Sequence, residues 1–504
     1  MHVGRAPLSL DEVARAAQAA LAPDEAGWFV GGCLRDELLG RRVRDIDIAL
    51  DGDAERVART LADRLGGAVF ATSDVFGSWR VIMNERHVDV ASLRPGPHAP
   101  AGPSAPDSAT RAARLEADLR ARDVTIDALA RPLDGDQLVD PLSGVDDLAA
   151  GRLRLCSPQA LADDPLRVLR LARLARCLDL VPDVAATQAA VTAAPALTGV
   201  SGERMRDELS SLLATHGAAL ALRDLAVWGA LAVVLPEVDG LRGIGQNPYH
   251  HLDVFEHTLE ALSYVCGVVA QLGGREHLAT PAEAGLPGVA AHVPVSWAVL
   301  LHDIGKPEAR HADEYGHVLF WHHDEIGRRQ AAEIGARLHF SKRFVEYLGT
   351  LVRQHLRLGF LVREQPLTRR ALARYRRDVS PWVFESVVVS LCDRLATRGE
   401  RTSPTSMARH YRLARRVWTA VSKVEPPRLL GGEAVMELLG VAPGPVVGEA
   451  LAALEEEVEA GEVRDEGGAR AFLAAWWARR KEDGAVEVEP SPAGRAGDDH
   501  TRRD

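Results

Sequence analysis

At 504 residues the chain is too long for one hydrophobic core and has material for roughly three or four domains. Its composition, 46% hydrophobic and 26% charged, is globular, and no apolar run is long enough to span a bilayer. With a net charge of −11, any nucleic-acid partner must be held by local basic patches rather than by the overall field.

Residues 1–150 alternate helical runs (SLDEVARAAQAAL, DAERVARTLADRLG) with strand-like runs (WFVGG, DIDIAL, GAVFAT, WRVIM, HVDVAS), an α/β pattern. The opening MHVGRAPLSLDEVARAAQAAL is charged throughout and lacks a signal peptide's apolar middle. PGPHAPAGPSAPDSA, residues 95–109, reads as a flexible loop. From about 150 the pattern is almost entirely helical. A neck is expected over 151–245, ending in the Gly/Asn/Pro stretch GLRGIGQNPYHH. A histidine-rich segment follows over 246–400, then a helical tail over 401–480 and a polar, disordered terminus over 481–504. The five cysteines, Cys33, Cys156, Cys177, Cys266 and Cys392, form no CxxC pair. This suits a reducing cytoplasm, where the protein is expected, and argues against a disulfide scaffold or a structural zinc site.

Alternation in DIDIA predicts a strand with Ile46 and Ile48 facing the core. Asp45 and Asp47 then share the other face, roughly 7 Å apart at Cα. Like charges that close call for a cation between them, and Mg2+ suits carboxylates and substrate phosphates. The alternative is a solvated strand edge. Gly31-Gly32 lies at a strand-to-helix turn, where backbone N–H groups can approach a phosphate, or where the chain simply turns tightly. Arg35 and Asp36 follow on that helix; as an i, i+1 pair they do not face each other, so each is expected to find its own partner. Asp89, in the alternating run ERHVDV, either completes the metal cluster beside DIDIA or is a polar residue on an edge strand.

GG-x-LRDELLGR followed by DIDIA resembles the catalytic signature of the class II tRNA nucleotidyltransferases and bacterial poly(A) polymerases. Further motifs follow in that family's order. LEADLRARDVTIDALA (115–130) resembles the ribose and triphosphate motif, and DPLSGVDDLAAGRLR (140–154) the turn from head to neck. DDPLRVLRLARLA (163–175) resembles the base-reading motif, and SGERMRDEL (201–209) the neck motif after it. The resemblance implies an α+β multidomain fold: a polymerase-β-like nucleotidyltransferase head with a mixed sheet, followed by an all-α neck, an HD domain and a tail. It implies Asp45, Asp47 and Asp89 as catalytic acids, the first two holding Mg2+. Gly31, Gly32, Arg35, Arg122, Asp123, Asp164, Arg167 and Arg170 are implied to bind the nucleotide.

Asp164-Pro165 is a good helix start, with Asp as N-cap and Pro at the first helical position. Asp164 and Arg167, three apart, would share a helical face and offer an acceptor and a fork of donors to the Watson–Crick edge of C or A. The series Arg167, Arg170, Arg173, Arg176 is otherwise a stripe on RNA phosphates or a solvated face. The chain departs from the family pattern at Ala121 (usually Arg), Val124 (Phe), Asp127 (Asn) and Asp163 (Glu). The 95–109 loop, at the position associated with switching from C to A, lacks the usual Arg, Glu and Tyr residues.

A second constellation is His257, His302-Asp303, His323, His355 and Asp393. Imidazole and carboxylate are good ligands for divalent ions. The order resembles the HD superfamily of metal-dependent phosphohydrolases in the form fused to bacterial tRNA nucleotidyltransferases. It implies a divalent metal and hydrolysis of phosphomonoesters or 2′,3′-cyclic phosphates. His250 and His251 are read as shaping the approach to His257. RRALARYRR, 369–377, is either a phosphate-contacting helix or a solvated one.

The expected function is template-independent addition of CMP and AMP to tRNA 3′ ends, with tRNA, CTP and ATP as partners and neither a membrane nor a protein partner. The alternatives are a poly(A) polymerase, a CC-only or A-only enzyme, and an HD phosphohydrolase whose head only binds RNA.

Overall fold

The computed structural model describes residues 10–43, 45–73, 77–83, 86–93, 108–362, 367–421 and 428–482. The body of the expected flexible loop and the terminus 483–504 lie outside them; Ser108 and Ala109 already belong to a helix. The chain divides into two compact units, Met1–Pro236 and Glu237–Asp504.

The first unit is built on a six-stranded sheet. Its strands are β1 (Ala26–Val30), β2 (Asp45–Asp51), β3 (Ala68–Ser73), β4 (Ser78–Met83), β5 (Arg86–Ser92) and β6 (Ala130–Pro132), in the order β3-β4-β5-β2-β1-β6. β2 is antiparallel to β1 and parallel to β5, so the sheet is mixed. The two-residue alternation sends Phe29, Ile46, Ile48, Val88 and Val90 into a core with helices Leu10–Gln18, Gly32–Leu38 and Ala54–Leu65. Asp53 caps the last of these by accepting from Arg56 N, and Gly66 closes it in the left-handed conformation. The opposite face carries Trp28, Val30 and Ala49 under Leu115 and Leu119 of helix Ser108–Arg120. Burying each of those leucines contributes roughly 1.5–3 kcal/mol. Asp47 and Asp89 belong to this second face.

Beyond the sheet the chain is mostly helical, but two small sheets interrupt it: β7 (Arg152–Leu153) beside β8 (Val181–Pro182), and a hairpin of β9 (Arg310–Ala312) and β10 (Val318–Phe320). A short 3-10 turn, Thr125–Asp127, is fixed from below by Asp147 of helix Gly144–Ala149. The Asp147 carboxylate is fully buried and accepts from Thr125 Oγ1 at 2.7 Å, Arg152 Nε at 2.7 Å and Arg154 Nε at 2.9 Å. A side chain at position 144 would collide with the Thr125 carbonyl, which explains Gly144.

In the second unit, helices Val254–Ser263, Val293–Leu301, His323–Arg337, Lys342–Gln354 and Val383–Ala396 surround the buried Trp297, Phe344 and Tyr347. Helices Gly432–Leu439, Pro445–Ala460 and Glu466–Glu482 share a separate core of Val435, Leu439, Leu454, Leu473 and Trp477. The arginines of helix Arg369–Val379 are largely half exposed, and several pair with acids of helix Pro445–Ala460. Arg370 pairs with Glu457 at 2.7 Å, Arg374 and Arg377 with Glu456 at 2.6 and 2.8 Å, and Arg376 with Glu459 at 2.9 Å. Among the described residues, no helix is long and apolar enough to cross a membrane.

Candidate functional site

The exposed end of the second sheet face opens into a cavity of about 460 Å³. Of the residues singled out in the sequence, Asp47, Asp89, Arg122, Asp123, Asp164, Arg167 and Arg170 line it. Asp47 and Asp89 are direct partners across the parallel β2/β5 pair, so Asp89 does stand beside DIDIA. Burial pushes the Asp47 carboxyl above its usual range; Arg122 opposes this and Asp89 adds to it. A divalent cation would relieve that strain, so the acids fit one. Asp45 is 66% exposed and sits 3.4 Å from His87 Nδ1, outside the cavity lining. Asp89 is clamped by Arg80, whose Nε and Nη2 each lie 2.7 Å from a carboxylate oxygen.

Gly31 adopts φ +79°, and a Cβ there would lie 2.8 Å from Arg122 Nη1 and 3.4 Å from Asp47 Oδ2. Its role is close approach to these side chains: its own N–H is taken by the Leu129 carbonyl, contrary to a phosphate contact at that amide. Gly32 and Arg35 are not in the cavity lining. Arg35 also departs from the sequence expectation, because it bonds its neighbour Asp36 (Nε–Oδ1 2.9 Å) as well as Asp127. The two Cβ directions differ by roughly 100°, and the long arginine arm bends back across that angle.

Asp164 is not the N-cap of helix Arg167–Cys177, although its Oδ1 accepts from Leu166 N at 3.3 Å in the turn before it. It ends the short helix Ala160–Asp163, and the next begins at Arg167, so the pair flanks a turn rather than sharing a helical face. Both still line the cavity. Arg204, which the sequence reading passed over, holds Asp164 at 2.7 Å, while Arg167 donates to the carbonyls of Ala160 and Ala121 at 2.9 and 3.0 Å. Asp123 is buried against Arg170 Nε at 2.8 Å. Burial would raise its pKa, but Arg170 and Arg167 outweigh burial and hold it below the usual range. The remaining arginines are internal ties: Arg173 to Glu208, and Arg176 to Asp224 at 2.6 Å. Only the spacing of Arg204 and Glu208, one turn apart on helix Gly202–Leu213, signalled the supporting pairs in advance.

In the second unit the six expected ligands converge. His257 Nε2 lies 3.1 Å from Asp393 Oδ1 and 3.6 Å from Asp303 Oδ2; His302 Nε2 lies 3.1 Å from Asp303 Oδ2. His323 and His355 Nε2 lie 3.5 and 3.7 Å from Asp303 Oδ1. Each Nδ1 faces a backbone carbonyl: Ala396 at 3.3 Å for His257, and Val299, Phe320 and Val352 at 2.7 Å for His302, His323 and His355. Those bonds fix the tautomer and aim every Nε2 lone pair inward. His302 Nε2 and Asp303 Oδ2 are buried 3.1 Å apart, and this imidazole and carboxylate donor set fits a divalent metal. The groups His257/His302/Asp303 and Asp303/His323/His355 each have donor atoms within 4.8 Å of one another, and Asp303 belongs to both. His250 lies close enough to His257 and Asp393 to form a third candidate group with them. Lys306 Nζ, 2.6 Å from Asp303 and 2.7 Å from Gln246 Oε1, was not anticipated.

The fold and these two sites define a nucleotidyltransferase head joined to an HD-type histidine–aspartate centre. Comparison with known families agrees: residues 27–154 match the Poly A polymerase head domain, 185–241 the probable RNA and SrmB-binding site of polymerase A, and 254–398 the HD domain. The chain is 36% identical over 456 residues to the A-adding tRNA nucleotidyltransferase of Deinococcus radiodurans, covering 89% of this chain and 95% of that one. It is 35% identical over 471 residues to the CC-adding tRNA nucleotidyltransferase of Thermus thermophilus, covering 89% and 93%. A crystal structure of the Bacillus stearothermophilus CCA-adding enzyme in complex with CTP shares the fold, with a TM-score of 0.58, 23% identity and coverage of 94% and 98%. The chain belongs to the tRNA nucleotidyltransferase family and is an enzyme of nucleotidyl transfer.

Proposed function

We propose that the head adds CMP and AMP to tRNA 3′ ends without a nucleic-acid template, using Mg2+ held by Asp45 and Asp47, with Asp89 as the third acid. The observation that carries this reading is one cavity lined by the acid pair Asp47/Asp89 and by Asp164/Arg167. Mg2+ supplies activation of the attacking 3′-hydroxyl and charge neutralisation at the departing pyrophosphate. The protein does the rest. Arg122 and Arg170 put positive charge beside the triphosphate, while Asp164 and Arg167 present an acceptor and a donor fork to the base edge. A second reading, addition of CC alone or of A alone, is supported by the activities named for the two relatives, each of which is a partial adder.

The test uses tRNAs ending before CCA, after C and after CC, each given CTP, ATP or both. Full addition gives growth from every start with both nucleotides; a partial enzyme stops at CC or starts only from it. Asp47→Ala is expected to abolish incorporation. Incorporation that survives it sinks the metal assignment, and long A tails favour a poly(A) polymerase.

The HD centre fits a divalent metal, and its proposed activity is hydrolysis of phosphoesters or 2′,3′-cyclic phosphates at RNA ends. A bound ion there supplies Lewis acidity and an activated nucleophile. Trimming a damaged 3′ end before rebuilding it links the two units.

A further inference from the structure

The outer half of the sheet's second face is bare. Leu115 and Leu119 cover Trp28, Val30 and Ala49 of β1 and β2, and among the described residues that core holds none from β3 or β4. Alternation turns Val81 into the opposite core and packs Val69 partly against it, which leaves Phe70, Arg80 and Ile82 on the uncovered side. Phe70 is 53% and Ile82 43% exposed. They are diagonal neighbours, since Phe70 pairs with Arg80 and Ala68 with Ile82. β3 is an edge strand, so two large apolar side chains lie together in water at the rim of the sheet.

The register puts this patch in line with the catalytic acids. Phe70 is opposite Arg80, Arg80 opposite Asp89, and Asp89 opposite Asp47. Ser78, two residues before Arg80 on β4, lines the cavity and accepts from Thr72 Oγ1 of β3 at 2.8 Å, so the cavity wall runs on to the edge strand. Two strand spacings, about 10 Å, separate the Cα atoms of Phe70 and Asp89. One nucleotide spans that distance from its 3′-hydroxyl to its base.

The two sides of Asp47 differ in chemistry. On the β1 side Arg122 reaches Gly31, and Arg170 holds Asp123 and stands near Asp127. Those cations suit a triphosphate. On the β5 side the row offers Asp89, Arg80 and then Phe70. In-line displacement places the attacking hydroxyl and the departing pyrophosphate on opposite sides of the α-phosphate. With pyrophosphate on the arginine side, the RNA 3′ end enters from the side of β4 and β3.

We propose that Phe70, flanked by Ile82, is the platform on which the 3′-terminal base of the RNA stacks while its hydroxyl reaches the acids. This rests on nucleotidyl transfer at Asp47 and Asp89 and names the RNA side of that site. Base–aromatic stacking tolerates every base, which suits an end whose last base changes as it grows.

The full-length protein is given tRNAs ending before CCA, after C and after CC, with CTP and ATP, each tRNA also in a form whose last nucleotide lacks its base. On intact ends Phe70→Ala is expected to raise KM for tRNA by roughly 5- to 150-fold, with KM for CTP and ATP unchanged. Phe70→Trp restores most of the loss. On ends without the base, wild type and Phe70→Ala are expected to share one KM for tRNA. An unchanged KM for tRNA in Phe70→Ala, a penalty that persists in full on ends without the base, or an equal rise in KM for the nucleotides overturns the platform while leaving nucleotidyl transfer standing. No wild-type addition to any intact tRNA overturns the transfer reading and the platform together.

Discussion

Asp147 carries a prediction whose size follows from its contacts. Its carboxylate is fully buried, yet two of its three partners, Arg152 and Arg154, are 50% and 39% exposed. In Asp147→Ala those arginines turn to water, so the ion pairs lost are screened and together contribute about 1 kcal/mol. Thr125 is different. Its hydroxyl is buried, and losing its acceptor costs roughly 1–3 kcal/mol. The expected loss is about 3 kcal/mol, or a fall in Tm of about 6–12 °C for a unit of this size. Asp147→Asn keeps an acceptor for Thr125 and is expected to lose about 1 kcal/mol. Acid provides a second signature. Burial would raise the Asp147 pKa, but Thr125, Arg154 and Arg152 hold it below the usual range. A lowered carboxylate stabilises the fold above its unfolded pKa and loses that contribution as pH falls, so the gap between wild type and Asp147→Ala narrows below about pH 4. Thermal unfolding across pH measures all three. Because the turn above Asp147 carries Asp127, KM for the nucleotide is expected to rise as well. A Tm loss under about 2 °C, or equal losses in Ala and Asn, refutes the reasoning.

Two further outcomes are expected in the second unit. Among the described residues, the core of the tail helices contains no residue from the rest of that unit, and the tail meets helix Arg369–Val379 through ion pairs, so its docking should be salt-labile. In Glu456→Gln/Glu457→Gln, hydrogen exchange in helix Pro445–Ala460 is expected to quicken at low salt; 1 M salt, with a Debye length of about 3 Å, should bring the wild type to the same rates. Unchanged protection would mean that packing rather than charge holds the tail. Burial lowers the His410 pKa to about 4, with Asp393 opposing and Arg394 assisting, and its Nε2 meets Ser390 Oγ at 3.1 Å. A lowered histidine leaves the fold unpenalised above pH 6.5 and destabilises it as pH falls, by about 2 kcal/mol at pH 5. His410→Gln should remove that slope, and a parallel pH profile in denaturant melts would contradict it.

What could be read from the sequence was what depends on local period. Alternation in DIDIA predicted a strand with Asp45 and Asp47 on one face and left open whether Asp89 of ERHVDV stood beside it; Asp47 does lie opposite Asp89. The order of the histidines was enough to collect His257, His302, Asp303, His323, His355 and Asp393. Failures came where a distant segment or the turn itself decided the outcome. The helix start at Asp164-Pro165 followed good local rules, and Asp164 Oδ1 does accept from Leu166 N, but its other oxygen takes Arg204, 40 positions on, and the helix begins three residues later. The glutamates that neutralise Arg370 and Arg374 lie 87 and 82 positions away, beyond the reach of any periodicity. The i, i+1 rule failed at Arg35 because it describes Cβ directions, and a guanidinium can reach around them.

The substituted positions acquire a physical meaning once the charges are followed. At Asp127 this chain places an acid where the family usually has Asn, adding a negative charge that is almost completely buried. Arg35 takes one of its oxygens, and Arg170 stands 3.7 Å from the other while holding Asp123 at 2.8 Å. Arg170 is thereby committed to the cavity floor, with its charge shared between two carboxylates. Arg167 is held differently: it donates to two main-chain carbonyls, and its charge also helps hold the Asp123 pKa down. One of those carbonyls belongs to Ala121, where the family usually has Arg, so the position serves through its backbone and needs no side chain. In the base-reading role proposed above, the base edge would meet an acceptor pinned by Arg204 and a donor fork pinned by peptide groups. The substitutions at Ala121 and Asp127 are thus compatible with the base-reading pair proposed above.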